Sequence, residues 1–208
     1  MCRWTGEKRG KDPSPSVMVF SGHMIDSPTR KPPRFPPELE HTVTHCINEH
    51  LVLNKGKIAY AAAASGGDII FLEQMLSLHG EINIILPVSP ADFKEQSVAP
   101  AGRTWSLRFE RLLAHAATVQ ILGPYSPTNF KESLCNCNLH LCKLATTRAR
   151  KKNMQVRGLT VLDSTQPGHL TGGTASMISL WQQQKIRYSC IFLNKLRSKN
   201  NTGNLYGS

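Results

Sequence analysis

The sequence predicts an α/β fold: a single doubly wound domain, a mostly parallel sheet of about six strands with helices on both faces. Three observations predict it. Short apolar runs alternate with segments of helical periodicity from residue 17 to residue 194, the order of repeated βαβ units rather than of hairpins. Some runs, such as Ile82–Leu86, are almost continuously apolar, as a strand buried on both faces requires. The chain has 208 residues, 40% of them hydrophobic, and no internal repeat, which suits one core of useful size.

The elements follow in order. Residues 1–16 are polar and charged and read as a disordered basic N-terminus. Val17–Phe20 is the first strand. Ser27–Pro37 holds five prolines and cannot be regular structure; it is long enough for a lid or binding loop. Pro37 suits a helix start, with Glu38 and Glu40 in its first turn, and Leu39, Val43, Cys46, Ile47 and Leu51 recur at helical spacing until Lys55-Gly56. Lys57–Ala63 is a second strand, Asp68–His79 a helix, and Glu81–Leu86 the clearest strand, ended by Pro87. Pro90–Gln96 and Thr104–Ala116 read as helices, Thr118–Leu122 as a strand, and Asn129–Lys152 as a long helix with a basic end. Val156–Leu162, Ala175–Gln184 and Ile186–Leu193 complete the strand, helix and strand of the last unit. The domain spans 17–194, and 195–208 is a polar basic tail.

The net charge is +11, concentrated at both ends, in Arg30–Arg34 and in Arg148–Lys152. Basic and aromatic residues do not interleave along one element, which argues against nucleic acid as a partner. An anionic small ligand or an acidic protein partner fits the general field better. No apolar run is long enough to span a bilayer and the N-terminus lacks a signal-peptide core, so the expected location is the cytoplasm. Cys135, Cys137, His140 and Cys142 fall close together, but on a helix Cys135 and Cys142 share a face and Cys137 points elsewhere. Reduced thiols are expected rather than a metal site.

Candidate chemistry sits at the loops that follow the strands, where ligands collect in such sheets. Ser65-Gly66-Gly67-Asp68 is a turn whose glycines let backbone approach closely and whose helix start offers unpaired amides to an anion. Gly172-Gly173-Thr174 repeats that pattern after Asp163, and Ser21-Gly22-His23 stands after the first strand. His23 and Asp26 are spaced for acid–base work; equally, Asp26 caps a turn and His23 bonds backbone. Asp68 is either a helix-start carboxylate or a ligand for a hydroxyl. Arg34 and Pro87, with Trp105 and Arg108 on the fourth helical segment, are additional contacts, Trp105 reading as core and Arg108 as a salt-bridged or phosphate-reaching arginine. Neither GxGxxG nor a P-loop is present.

Taken together, Phe20–Asp26, Arg34-Phe35-Pro36, Ala64–Glu73, Leu86-Pro87, Trp105, Arg108-Phe109 and Gly172–Ala175 resemble a Rossmann-like domain of the SLOG type found in bacterial tetratricopeptide-repeat and signalling proteins. The wider superfamily includes the DNA-processing protein of transformation and the lonely-guy phosphoribohydrolases. The resemblance covers residues 17–193 and implies a module that binds or senses a nucleotide or a nucleotide-derived phosphate ligand. The enzymatic branch carries Pro-Gly-Gly-x-Gly-Thr and a following glutamate. Here the stretch is Leu170–Ile178, without that proline, last glycine or glutamate, which puts hydrolysis of an N-glycosidic bond in doubt. His23, Asp26 and Asp68 are the candidates if catalysis occurs, and a degenerate protein-interaction scaffold is the remaining alternative. No cofactor or metal follows from the sequence beyond a nucleotide ligand.

Overall fold

The computed structural model describes residues 14–126, 128–163 and 173–197. Six parallel strands form one sheet in the order β4-β3-β2-β1-β5-β6: β1 Ser16–Gly22, β2 Gly56–Ala61, β3 Glu81–Leu86, β4 Thr118–Ile121, β5 Gln155–Leu162 and β6 Arg187–Phe192. The helices are α1 Glu40–Leu53, preceded by a 3-10 turn at Pro37–Leu39, α2 Gly67–Ser77, α3 Pro90–Ser97, α4 Arg103–His115, α5 Phe130–Lys152 and α6 Thr174–Gln183. This is a doubly wound, Rossmann-like α/β architecture. From β1 the chain winds outward to β4, then α5 carries it back so that β5 lies beside β1.

Alternation along β1 decides which helices cover which face. Met18 and Phe20 enter the core shared with α1, α2 and α4. Val17 and Val19 enter the second core, under α5 and α6. Phe20 stacks on Phe71 of α2 with ring centroids 4.6 Å apart. On the other side Trp181 packs against Gly158, where an added Cβ would stand 2.8 Å from the indole ring. β4 is the exception: all four of its residues are exposed, so it is an uncovered edge.

The helix register corrects one expectation. On α5, Cys137 and Cys142 share the buried stripe with Leu141 and Ala145, and Cys135 faces solvent. Cys135 stands only about 20° from Cys142 around the helix axis, but it precedes Cys137, the first buried residue of α5, and the buried stripe is wide enough to take both Cys137 and Cys142. The Cys137 thiol bonds the Ile85 carbonyl at 3.2 Å; burial pushes it well above the usual thiol range and Cys142 up to about 11. Cys46 on α1 is disulfide-bonded, whereas the clustered Cys135, Cys137 and Cys142 are free thiols. No helix among the described residues is long and apolar enough to cross a membrane.

Candidate functional site

The crossover between β1 and β5 leaves a crevice beyond the carboxyl ends of the strands, where the winding reverses. A cavity of about 370 Å³ lies there. Its floor is the end of β1 (Ser21, Gly22, His23) with Ala62, Ala64 and Asp68. One wall is the N-terminal half of α5 (Phe130, Lys131, Leu134, Asn138), another the start of α6 (Gly173, Thr174, Ala175), and Arg34 reaches in from the proline-rich strap.

Of the residues singled out in the sequence, Ser21, Gly22, His23, Arg34, Asp68, Gly173 and Thr174 line this cavity. Gly172 lies outside the described residues, as do 164–171. Asp26, Ser65, Gly66, Gly67, Asp163, Pro87, Trp105 and Arg108 are not in its walls.

The Ser65–Asp68 turn is occupied by the chain itself. Gly67 N–H donates to the His23 carbonyl at 3.1 Å, and Ile25 N–H to the Ser65 carbonyl at 3.2 Å. Gly66, at φ 88°, has no room for a Cβ: it would stand 2.3 Å from Ile25 N. Gly22 and Gly67 face each other, a Cβ on either meeting the other's Cα at 3.3–3.4 Å. These glycines let the segment after β1 lie on the start of α2.

Asp68 is the staple of that corner. Its carboxylate accepts from Gly22 N–H at 3.1 Å and Ala64 N–H at 3.3 Å. Burial pushes its carboxyl up to about 7, with the amides of Ala64, Gly22 and Ala62 pulling the other way. Asp26 holds the strap: it accepts from Arg34 N–H at 2.7 Å and pairs with Arg30 at 3.2 Å. Arg197 pairs with Asp163 and also donates to the Pro33 carbonyl.

Arg108 takes no part in the cavity. It forks onto Glu73 at 3.0 and 2.6 Å, reaches Glu40 at 2.6 Å and lies 3.9 Å over the Trp105 ring. Burial opposes its charge, but the two glutamates more than offset this and hold its pKa above the ordinary value. It ties α1, α2 and α4 together; the reading in which it reaches phosphate is corrected accordingly. Trp105 is 6% exposed in the core.

His23 is neutral over the physiological range: burial first, then Arg34, lowers it to about 4, although Asp163 pulls it up. The α5 residues were not singled out in the sequence. The available signal was Asn138, a lone amide on the stripe of Cys137, Leu141 and Ala145; its Nδ2 donates to the Gly173 carbonyl at 2.7 Å and fixes the start of α6.

The class defined by this sheet order and crossover cavity is the Rossmann-like α/β domain. No family model matches the chain, and no curated protein does. Among solved structures, the chain is similar to DNA processing protein A from Helicobacter pylori at 14% identity, covering 90% of this chain and 91% of that one, with a TM-score of 0.37. It is similar to DNA processing protein A from Streptococcus pneumoniae at 14% identity, over 85% and 58%, with a TM-score of 0.35. It also resembles Streptococcus suis SuiB, solved with S-adenosylmethionine, at 11% identity over 84% and 38%, with a TM-score of 0.28.

The Helicobacter pylori protein is described by its single-stranded DNA binding mode, against the expectation that nucleic acid is an unlikely partner. Basic and aromatic residues do meet in the fold, though not along one element: Arg34 from the strap and Lys131 and Phe130 from α5 line one cavity although they are far apart in sequence.

Proposed function

We propose that this chain is a binding or sensing module for a nucleotide or a nucleotide-derived phosphate ligand, held in the cavity at the β1–β5 crossover. One observation carries the reading. Ser21, His23, Arg34 and Thr174 line a single cavity, and none of their side chains has a hydrogen-bond or ion-pair partner among the described residues. Ser21 and Thr174 are only 8% and 7% exposed. Of the four, Arg34 has its Nε buried without a partner, where buried polar groups are normally paired, and the other three add polar side chains to the same concave site, the kind of setting a ligand fills. The first turn of α6 adds amides that favour a negative group, while Phe130 and Leu134 offer an apolar face suited to a base. The size of the cavity lies in the range of about 300–1,000 Å³ usual for small-molecule sites.

A thermal-shift screen of nucleotides, with a short single-stranded oligonucleotide as one arm, tests this. A rise in melting temperature with a nucleotide is expected, and it should disappear in Thr174→Leu, which fills the cavity. No shift with any compound removes the reading. A second reading, cleavage of an N-glycosidic bond, is favoured only by Asp68, a cavity carboxyl pushed up to about 7. Release of free base, followed by chromatography, decides it.

A further inference from the structure

The peptide unit that precedes Arg34 is held at both ends. Arg197 Nη1 donates to the Pro33 carbonyl at 2.8 Å, and Arg34 N–H donates to Asp26 Oδ2 at 2.7 Å. Each holder is itself anchored. Arg197 Nη2 pairs with the carboxylate of Asp163, whose side chain is 1% exposed at the end of β5. Asp26 pairs with Arg30 and donates its own N–H to the Phe35 carbonyl at 2.8 Å. Phe35, the next residue, is fully buried.

The backbone at Arg34 is therefore fixed from both sides, yet its guanidinium makes no hydrogen bond or ion pair among the described residues, and its Nε is buried without a partner. The nearby carboxylates are taken, Asp26 by Arg30 and by the Arg34 amide, and Asp163 by Arg197. An arginine stays charged in a protein, and a half-buried unpaired charge is costly. That cost is tolerable where the partner comes from outside the chain, and Arg34 lines the cavity.

We propose that Arg34 recognises the anionic group of the ligand, and that Arg197 is its positioning residue, holding it over the cavity through the Pro33 carbonyl. This rests on the reading of the cavity as a ligand site. Arg197 stands near the C-terminal end of the described chain, so that end contributes to anion recognition without touching the ligand. Fixing Arg34 before the ligand arrives lowers the ordering cost of binding.

The experiment is titration calorimetry on the full chain, with the 5′-monophosphates of adenosine, guanosine, cytidine and uridine, each against its own nucleoside. The wild-type chain is expected to prefer at least one monophosphate over its nucleoside by roughly ten- to a hundredfold, the scale of one charge-assisted arginine contact. R34A abolishes that preference. R197A weakens the monophosphate by about five- to tenfold, leaves the nucleoside unchanged, and has no further effect in the R34A background, as coupled residues require. If R197A does not fold, R197K replaces it, because one ammonium cannot fork between Asp163 and Pro33.

A wild-type chain that binds none of these compounds overturns the ligand reading, and this inference with it. Equal binding of monophosphate and nucleoside overturns the inference alone. So does a preference that survives R34A, or an R197A defect that affects both compounds alike or adds to R34A.

Discussion

Two glycines with positive φ frame the cavity region, and they should respond differently to the same substitution. Gly66 sits at φ 88°, ψ −123° and Gly173 at φ 50°, ψ −111°. Neither conformation suits an L side chain, which costs about 1–3 kcal/mol at each. A Cβ on Gly66 would also stand 2.3 Å from Ile25 N and 2.9 Å from the His23 carbonyl, whereas one on Gly173 meets nothing within 4 Å. Moving backbone aside adds about 1–3 kcal/mol. Gly66→Ala is therefore expected to lower the unfolding free energy by about 4 kcal/mol and Gly173→Ala by about 2 kcal/mol, read from urea midpoints at unchanged m-value. Ligand affinity should move the other way: Gly173→Ala changes it, and Gly66→Ala, wherever it still folds, does not. Equal destabilisation by the two variants would refute the assignment of Gly66 to packing.

Other outcomes follow from the same contacts. Asp68→Ala leaves the amides of Gly22, Ala64 and Ala62 without an acceptor. The expected loss is about 3 kcal/mol after the relieved burial of the carboxyl is counted, and Asp68→Asn should recover less than half of it, because its NH₂ faces those donors; thermal melts check both. His50, 1% exposed, is lowered to about 4 by burial and then by Arg157. The unfolded chain therefore binds more protons than the folded one between about pH 6.5 and 4, so stability falls as pH drops through that window, by about 2 kcal/mol for His50 between about pH 7.5 and 5. His23 adds in the same direction, and Asp68, pushed up to about 7 by burial, works against it over the same window and offsets about one histidine. Denaturant midpoints should be much flatter with pH in His50→Leu; an unchanged slope would count against burial as the cause. Arg108→Met should cost about 2 kcal/mol, since Glu73 loses its fork and Glu40, more exposed, loses little, and it should leave ligand affinity unchanged in calorimetry.

Local chemistry made much of the architecture legible. Glu81–Leu86 is a strand to the residue because Gly80 and Pro87 bound an apolar run, and those limits need nothing beyond their neighbours. Pro90 after Ser89 opens α3 in the same way, the serine side chain accepting from Asp92 N–H. The Ser65–Asp68 turn was equally readable as a turn. Its occupant was not: the backbone of 23–25 fills it, and that segment arrives from another strand. α5 announced itself as a helix, but nothing along it says that it crosses the sheet to set β5 beside β1, and that crossing creates the cavity and brings Asn138 and Lys131 to its wall.

Arg34 and Arg108 mark the division most sharply. Both are arginines beside aromatic residues in sequence; one has carboxylates forked onto it and the other has none free to take. Residue type, turn chemistry and periodicity act over a few positions, so the chain alone determined its elements, their alternation and the fold class. Which polar groups are satisfied, and which are left facing a cavity, depends on segments more than a hundred residues apart meeting at one crossover, and only the tertiary structure decided that.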